Sequence, residues 1–325
     1  MADPSVGIVI IGRNEGARLV QCLTSVNASL WRVIYVDSGS ADDSILEAQK
    51  AGAEVVILDI SVPFTAARAR TAGFNALQDT GAMPDFVQFI DGDCSAQPNW
   101  MASAVAAMDA DTSLGIVTGW RKEVNATRSI YNALCDFEWR RPAGDILACG
   151  GDMMVRSIAF SEVGGFNATV IAAEDDEFCV RIRKAGWKIQ RLPVEMTLHD
   201  ADMTRFSQWW DRAVRTGHGF AQVGDMHPEY FTKERKRVWA YGAILPAISI
   251  MGLVVSVWVF FAVLGLYGVS YLRTARGLYA NGLGKKQALK QAVFLTLSKF
   301  PNFQGIMLYY WRRFRGHKMN IIEYK

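Results

Sequence analysis

Over the first 120 residues, short β-branched runs alternate with amphipathic stretches. Apolar runs at Val6–Ile11, Arg32–Asp37, Glu54–Leu58, Phe86–Asp91 and Gly115–Gly119 predict strands. Between them, Ala17–Ala28, Asp42–Ala51 and Thr65–Leu77 carry apolar residues at helical spacing. That alternation predicts an α/β fold, a mixed but mainly parallel sheet with flanking helices. From about Asn125 to Gln222 strands are harder to draw, and Gly, Trp and charge are commoner. No internal repeat is present.

A different pattern begins after Trp239. Ala240–Leu272 contains no charged residue, and ~20 apolar residues already cross a bilayer as a helix. The alternative, a buried core helix, would need apolar partners on every side. Lys233, Arg235, Lys236 and Arg237 precede the segment, and Arg273, Arg276, Lys285 and Lys286 follow it. Positive charge stays on the cytoplasmic side, so two basic flanks favour a segment that returns to the side it left. Pro246, Gly252, Gly265 and Gly268 would permit a re-entrant or paired-helix arrangement. One long tilted span is the other geometry. Lys285–Lys318 then mixes Phe303, Tyr309, Tyr310, Trp311 and Phe314 with Arg312, Arg313 and Arg315. That pattern suits an interfacial anchor or a helix packed on the α/β domain. The expected division is residues 1–225 as the α/β domain and 226–325 as a membrane-associated helical region. Within the latter, 240–272 is the hydrophobic segment and 273–325 the basic amphipathic tail.

Composition and charge refine this picture. Half the 325 residues are hydrophobic and 21% are charged, which excludes a disordered chain. The net charge of +3 is concentrated at the end. Lys and Arg recur from Arg273 to Lys325 against one acid, Glu323. Such a tail seeks an anionic surface, and its aromatics and apolar neighbour favour lipid over nucleic acid. The five cysteines have no metal-type spacing and suggest no disulfide framework, as in a reducing cytoplasm. Val6–Ile11 is too short for a signal peptide.

Candidate chemistry lies at the strand ends. Asp37 closes a strand in VIYVDSGSADDS, where an acid can meet a ribose or a base, or cap the next helix. In FIDGDC, Asp91 and Asp93 stand one residue apart and repel unless a cation joins them; a solvated turn is the alternative. A hard divalent ion there would bridge the phosphates of a nucleotide. Glu174, Asp175, Asp176 and Glu177 open a helix, more acids than its dipole needs, so one could act as a general base. His199 could complete a metal site or be structural. Arg212 and Arg215 share a helix and could neutralise a leaving diphosphate or be solvated.

In this order, IIGRNEG, VDSGSADDS, AARARTAGF, FIDGDC, the GGFN of residues 164–167, and EDDEFCVRIRKAGW resemble the family 2 glycosyltransferases. The resemblance covers roughly residues 6–225 and implies the Rossmann-like GT-A fold. It is similar in style to bacterial enzymes that build exopolysaccharide and other surface glycans, which implies the cytoplasmic face of the inner membrane. It implies a nucleotide-sugar donor, UDP-linked by default, inversion at the anomeric carbon, and Mn²⁺ or Mg²⁺ as cofactor. By position, Ile11, Arg13, Glu15, Asp37, Arg70 and Asp91 would line the donor nucleotide. Thr71 stands where the family has Asn. Asp93, Asp91 and His199 would hold the metal. Asp175 would be the catalytic base, with Glu174 and Asp176 as alternatives because four adjacent acids blur the register. Gly150, Gly151 and Asp152 would shape the acceptor side. The Gln-x-x-Arg-Trp motif of processive synthases is missing, so one sugar added to a lipid-linked glycan is expected. A nucleotidyltransferase and a non-catalytic membrane scaffold are the rival readings; the first would need a Gly-rich basic loop that GRNEGAR does not supply.

Overall fold

A computed structural model describes residues 5–27, 30–79 and 83–323. Ala28, the expected end of the first helix, and Lys325, the end of the basic tail, lie outside the described residues. The chain packs as two units, residues 1–126 with 138–202, and residues 127–137 with 203–325. Compactness therefore divides the chain near residue 203 rather than 225, and lends 127–137 to the second unit.

The first unit is built on one sheet of nine strands. These are β1 (Val6–Gly12), β2 (Arg32–Asp37), β3 (Glu54–Ile57), β4 (Phe86–Asp91), β5 (Cys94–Ala96), β6 (Leu114–Glu123), β7 (Gly144–Asp145), β8 (Met153–Arg156) and β9 (Lys188–His199). Their order is β3-β2-β1-β4-β8-β6-β9-β5, with β7 pairing β9. β3, β2, β1 and β4 run parallel, while β8 is antiparallel to both β4 and β6. The mixed, mainly parallel α/β sheet of a GT-A-like fold is thus present. Helices α1 (Ala17–Val26), α2 (Ser44–Lys50), α3 (Ala66–Gln78), α4 (Trp100–Ala110), α6 (Ser157–Glu162) and α7 (Glu174–Lys184) accompany the strands, while most of α5 (Ile130–Trp139) belongs to the second unit.

Local chemistry sets the ends. α1 stops at Asn27, which takes a left-handed conformation (φ 50°). The Thr65 hydroxyl accepts from the Arg68 N–H and starts α3. Along β1, Ile8 and Ile10 face one buried cluster while Val9 and Ile11 face another, as a strand covered on both faces requires.

β9 is the longest strand, yet it lies where strands were hardest to draw. Its pairing with β6 shifts register at three places, and in β9 a clear period of two is confined to Leu192, Val194 and Met196, which face one core cluster. Gly119 sits at one of these shifts, and a Cβ there would stand 2.6 Å from the Val194 carbonyl oxygen.

The second unit is helical. After α8 (Phe206–Met226) and α9 (Thr232–Trp239) comes a π turn at Ala240–Ile244, then α10 (Leu245–Val255), α11 (Val257–Ala280), α12 (Lys285–Leu297) and α13 (Lys299–Phe314). The uncharged stretch is not one long span. It breaks at Ser256 (φ −165°, ψ 126°) into paired helices. α13 packs on α8 through small residues. A Cβ on Gly305 would lie 2.0 Å from the Val214 carbonyl oxygen, and one on Gly217 2.0 Å from that of Asn302. The buried side of the aromatic, basic tail therefore belongs to this helix pair, and Phe314 and Trp311 remain exposed.

Candidate active site

Parallel pairing aligns the strand ends that carry the acids. Ile11 is in register with Asp91, and Gly12 with Asp37. Beyond β4, the Gly92 N–H donates to the Ile11 carbonyl at 2.8 Å, which folds Asp91-Gly92-Asp93 across the end of β1. β5 then pairs with β9 so that Cys94 faces His199. Residues more than one hundred positions apart therefore meet: His199 Nε2 lies 3.2 Å from Asp93 Oδ1. Cys94 Sγ is 3.7 Å from the same oxygen. Trp139 stands edge-on to the His199 ring at 4.6 Å.

Two groups of side chains could take a cation here, Asp93 with Cys94 and His199, and Asp91 with Cys94 and Asp152. Among the described residues, the buried His199 Nδ1 has no hydrogen-bond partner. Carboxylates and an imidazole suit a hard or borderline divalent ion. The local field agrees. Burial raises the Cys94 and Cys22 thiol pKa values well above normal, and the negative charge of Asp152, Asp93 and Asp91 raises them further.

The second group of acids opens α7. Ala173 precedes it with φ 57°, and Glu174, Asp175, Asp176 and Glu177 fill its first turn. Arg70, from α3, ties this turn to the metal-type acids. Its guanidinium meets Asp91 Oδ1 at 2.7 Å and Glu174 Oε1 at 2.8 Å, and it is almost wholly buried. Arg70 thus links the two sets of acids as a strut. Glu174 is committed to that strut. Asp175 is half-buried and accepts from the Asp176 N–H at 2.9 Å. Its carboxyl pKa is raised to about 8, first by desolvation and then by Glu174 and Asp176, while Arg70 pulls the other way. An acid so tuned accepts a proton near neutral pH.

Asp152 is part of the framework. Wholly buried, it accepts from the Asp91 N–H at 3.0 Å and the Thr197 hydroxyl at 2.8 Å, and pairs with Arg121 at 2.9 Å. Burial pushes its carboxyl up, but Arg121 and these hydrogen bonds hold it below the usual range. The two glycines before it make room for the arginines. A Cβ on Gly151 would stand 1.9 Å from Arg70 Nη2, and one on Gly150 3.4 Å from Arg121 Nη2. Because Arg70 is pinned at both ends, Gly151→Ala must break one of its pairs. We expect it to lower stability by about 1–3 kcal/mol, read as a fall in melting temperature.

The donor-side residues are less alike. Asp37 is buried; its Oδ2 accepts from the Gly39 and Ser40 N–H groups at 2.9 and 2.8 Å, and the Tyr35 hydroxyl donates to Oδ1 at 3.2 Å. These bonds fix its orientation in its own turn. Glu15 packs over Gly12 and Gly92, and pairs with Arg18 at 2.9 Å. Arg13 lies over the Phe64 ring at 4.6 Å. Thr71 reaches the Phe166 carbonyl at 3.4 Å. Arg212 and Arg215 are half-buried on α8, in the second unit. Three contributors were not singled out in the sequence: Arg121, Thr197 and Trp139. Arg121 and Thr197 lie within strands, and the pairing of β6 with both β8 and β9 brings them to Asp152.

Residues 7–156 match the family model described as Glycosyl transferase family 2. The chain carries a family 2 glycosyltransferase domain. A second model, described as the N-terminal domain of galactosyltransferase, matches residues 128–205, which include the α7 acids and His199. The pre-mycofactocin glycosyltransferase of Mycobacterium tuberculosis is 28% identical over 241 residues, 69% of this chain and 48% of its own. The probable glycosyltransferase YdaM of Bacillus subtilis is 21% identical over 256 residues, 72% of this chain and 60% of its own. The chain thus spans about half the length of the first of these curated relatives. In fold, it is similar to the mannosyltransferase PcManGT of Pyrobaculum calidifontis, solved with GDP-Man and Mn²⁺. That match has TM-score 0.62 at 17% identity, over 96% of this chain and 89% of the other. Staphylococcus aureus TarS residues 1–349 follow at TM-score 0.51 and 13% identity, over 95% and 92%.

Proposed function

We propose that this chain is an inverting, metal-dependent glycosyltransferase that moves a sugar from a nucleoside diphosphate, UDP by default, to a hydroxyl of a lipid-linked glycan. The observation that carries this reading is one continuous link: the Asp91-Gly92-Asp93 turn, with His199 against Asp93, is joined by the Arg70 pairs with Asp91 and Glu174 to the first turn of α7. Asp175 takes the proton from the acceptor hydroxyl as that oxygen bonds to the anomeric carbon. The bond from that carbon to the diphosphate oxygen breaks on the opposite face, which inverts the centre. Arg70 fixes the spacing between the base and the diphosphate end, and Asp152 holds the turn that bears Asp91. Asp93, Asp91 and His199 would hold Mn²⁺ or Mg²⁺, which when bound neutralises charge on the diphosphate.

Attachment to the cytoplasmic face of a bacterial inner membrane is part of the proposal. Two 24-residue helices, Thr232–Val255 and Val257–Ala280, are long and apolar enough to cross a membrane. Their apolar windows are only 17% and 6% buried, whereas a soluble core helix would be mostly buried. The test is calorimetric binding of UDP, GDP, dTDP and CMP to detergent-purified protein, with and without Mn²⁺. We expect Mn²⁺-dependent binding of one nucleoside diphosphate. Binding of none, with any divalent ion, would sink the proposal and favour a membrane scaffold.

A further inference from the structure

The second unit contains an apolar rod rising from a polar collar. α10 and α11 fold back on each other at Ser256. The Tyr241 and Tyr267 rings meet at 5.7 Å, and the Tyr267 hydroxyl donates to the Tyr241 carbonyl. Near the tip, a Cβ on Gly252 would lie 2.5 Å from Val259 Cγ1, so the helices touch there. The turn needs no polar loop. The Ser256 N–H donates to the Gly252 carbonyl at 2.7 Å, and the Val259 N–H to the Ser256 carbonyl at 3.0 Å.

α13 closes round the base. Phe300 stacks on Tyr267 at 6.0 Å, and Phe303 meets Trp239 at 5.1 Å. A Cβ on Gly242 would stand 2.5 Å from the Lys299 carbonyl oxygen. From this level α13 runs along α8, which bears Asp211, Arg212, Arg215 and Asp225. A helix with four charges is expelled from hydrocarbon. Above the collar no charge remains, and Val254, Val255 and Trp258 are 89%, 83% and 76% exposed. Ile248, Met251, Leu253, Val257 and Phe261 are also exposed there. Leu245–Val255 rises ~16 Å and Val257–Leu266 ~15 Å. That is about half the ~30 Å hydrocarbon core of a bilayer. Lys236, Arg237, Arg273 and Arg276 lie toward the base, where headgroups would be.

We propose that the α10–α11 hairpin is a re-entrant anchor that enters one leaflet of an anionic membrane and halts with its tip near the midplane. The proposal rests on the membrane attachment above and adds its depth. Crossing both leaflets would pull Lys299 and the α8–α13 collar into hydrocarbon.

The test uses the full chain in vesicles of phosphatidylcholine and phosphatidylglycerol. All five native cysteines are buried, so Val255→Cys offers a selective thiol for an environment-sensitive dye. We expect lipids brominated near the chain ends to quench the dye several-fold more than lipids brominated near the headgroup. An impermeant maleimide should reach residue 255 from neither side. Labelling from the vesicle lumen, with quenching strongest near the headgroup, would mean that both leaflets are crossed and overturn the proposal. Flotation with vesicles but no quenching would mean peripheral adhesion and overturn it too. Failure to float at all would instead defeat the membrane reading itself. Trp258→Cys, one turn along α11, must report the same depth, which guards against a local defect in one variant. Neutral vesicles should take up several-fold less protein, and equal uptake would remove the anionic requirement.

Discussion

Replacing Asp175 with Asn should lower kcat by about 10²–10⁴, or roughly 3–5 kcal/mol of barrier, with donor affinity unchanged. Asn keeps the size of the side chain and loses only its capacity to take a proton. The pH profile separates a base from a merely nearby acid. In the metal-free protein the Asp175 carboxyl titrates near 8 because desolvation, Glu174 and Asp176 oppose its charge. Wild-type kcat/KM should therefore rise with pH and level off above that value, lowered somewhat if a bound cation adds its field. The variant should lose this rising limb. Stability gives an independent check. A carboxyl raised in the folded state adds stability that is full below its unfolded pKa near 4 and is lost as pH climbs to 8. Metal-free Asp175→Asn should thus gain in melting temperature relative to wild type between pH 5 and 9. Unchanged turnover would move the base to Asp176, since Glu174 is held by Arg70.

Much of the site was legible because its residues lie where the chain leaves a strand or enters a helix. Asp37 and Asp91 end strands whose limits agree with those drawn from the pattern, and the α7 acids stand at a helix start as expected. The partnership of these groups was less legible. Arg70 reads as a nucleoside contact in a family motif, but two ion pairs turn its guanidinium inward. Asp37 bears an acid at the right strand end, and three hydrogen bonds from Tyr35, Gly39 and Ser40 fix its orientation. Neither outcome is visible in spacing, since each depends on atoms brought in from elsewhere. β9 was missed for a different reason. Its alternation is short, confined to Leu192, Val194 and Met196, and is interrupted where the register against β6 shifts, although that strand delivers Thr197 and His199. The uncharged stretch was legible as apolar, and its basic flanks favoured a segment that turns back; the place of the turn was not legible, because Ser256 breaks the stretch with neither Pro nor Gly there.

Asp93→Ala should abolish Mn²⁺-dependent donor binding, weakening it by more than ~10², the upper end of what losing an outer-shell partner costs a metal site. Asp93 is the carboxylate that faces His199, and its loss leaves the group of Asp93, Cys94 and His199 without a carboxylate. Calorimetry of the nucleoside diphosphate with and without Mn²⁺ reads the effect directly. A variant that merely distorted the site would weaken both titrations alike; loss confined to the Mn²⁺-dependent part marks a ligand. His199→Ala should fall in the same direction by a smaller factor, because the carboxylates still neutralise most of the ion's charge. The two losses should also be less than additive, since both residues act on one ion. Donor affinity retained in Asp93→Ala would discredit this metal assignment. The Asp91 group, with Arg70 already on one of its oxygens, would then be the remaining candidate for the cation.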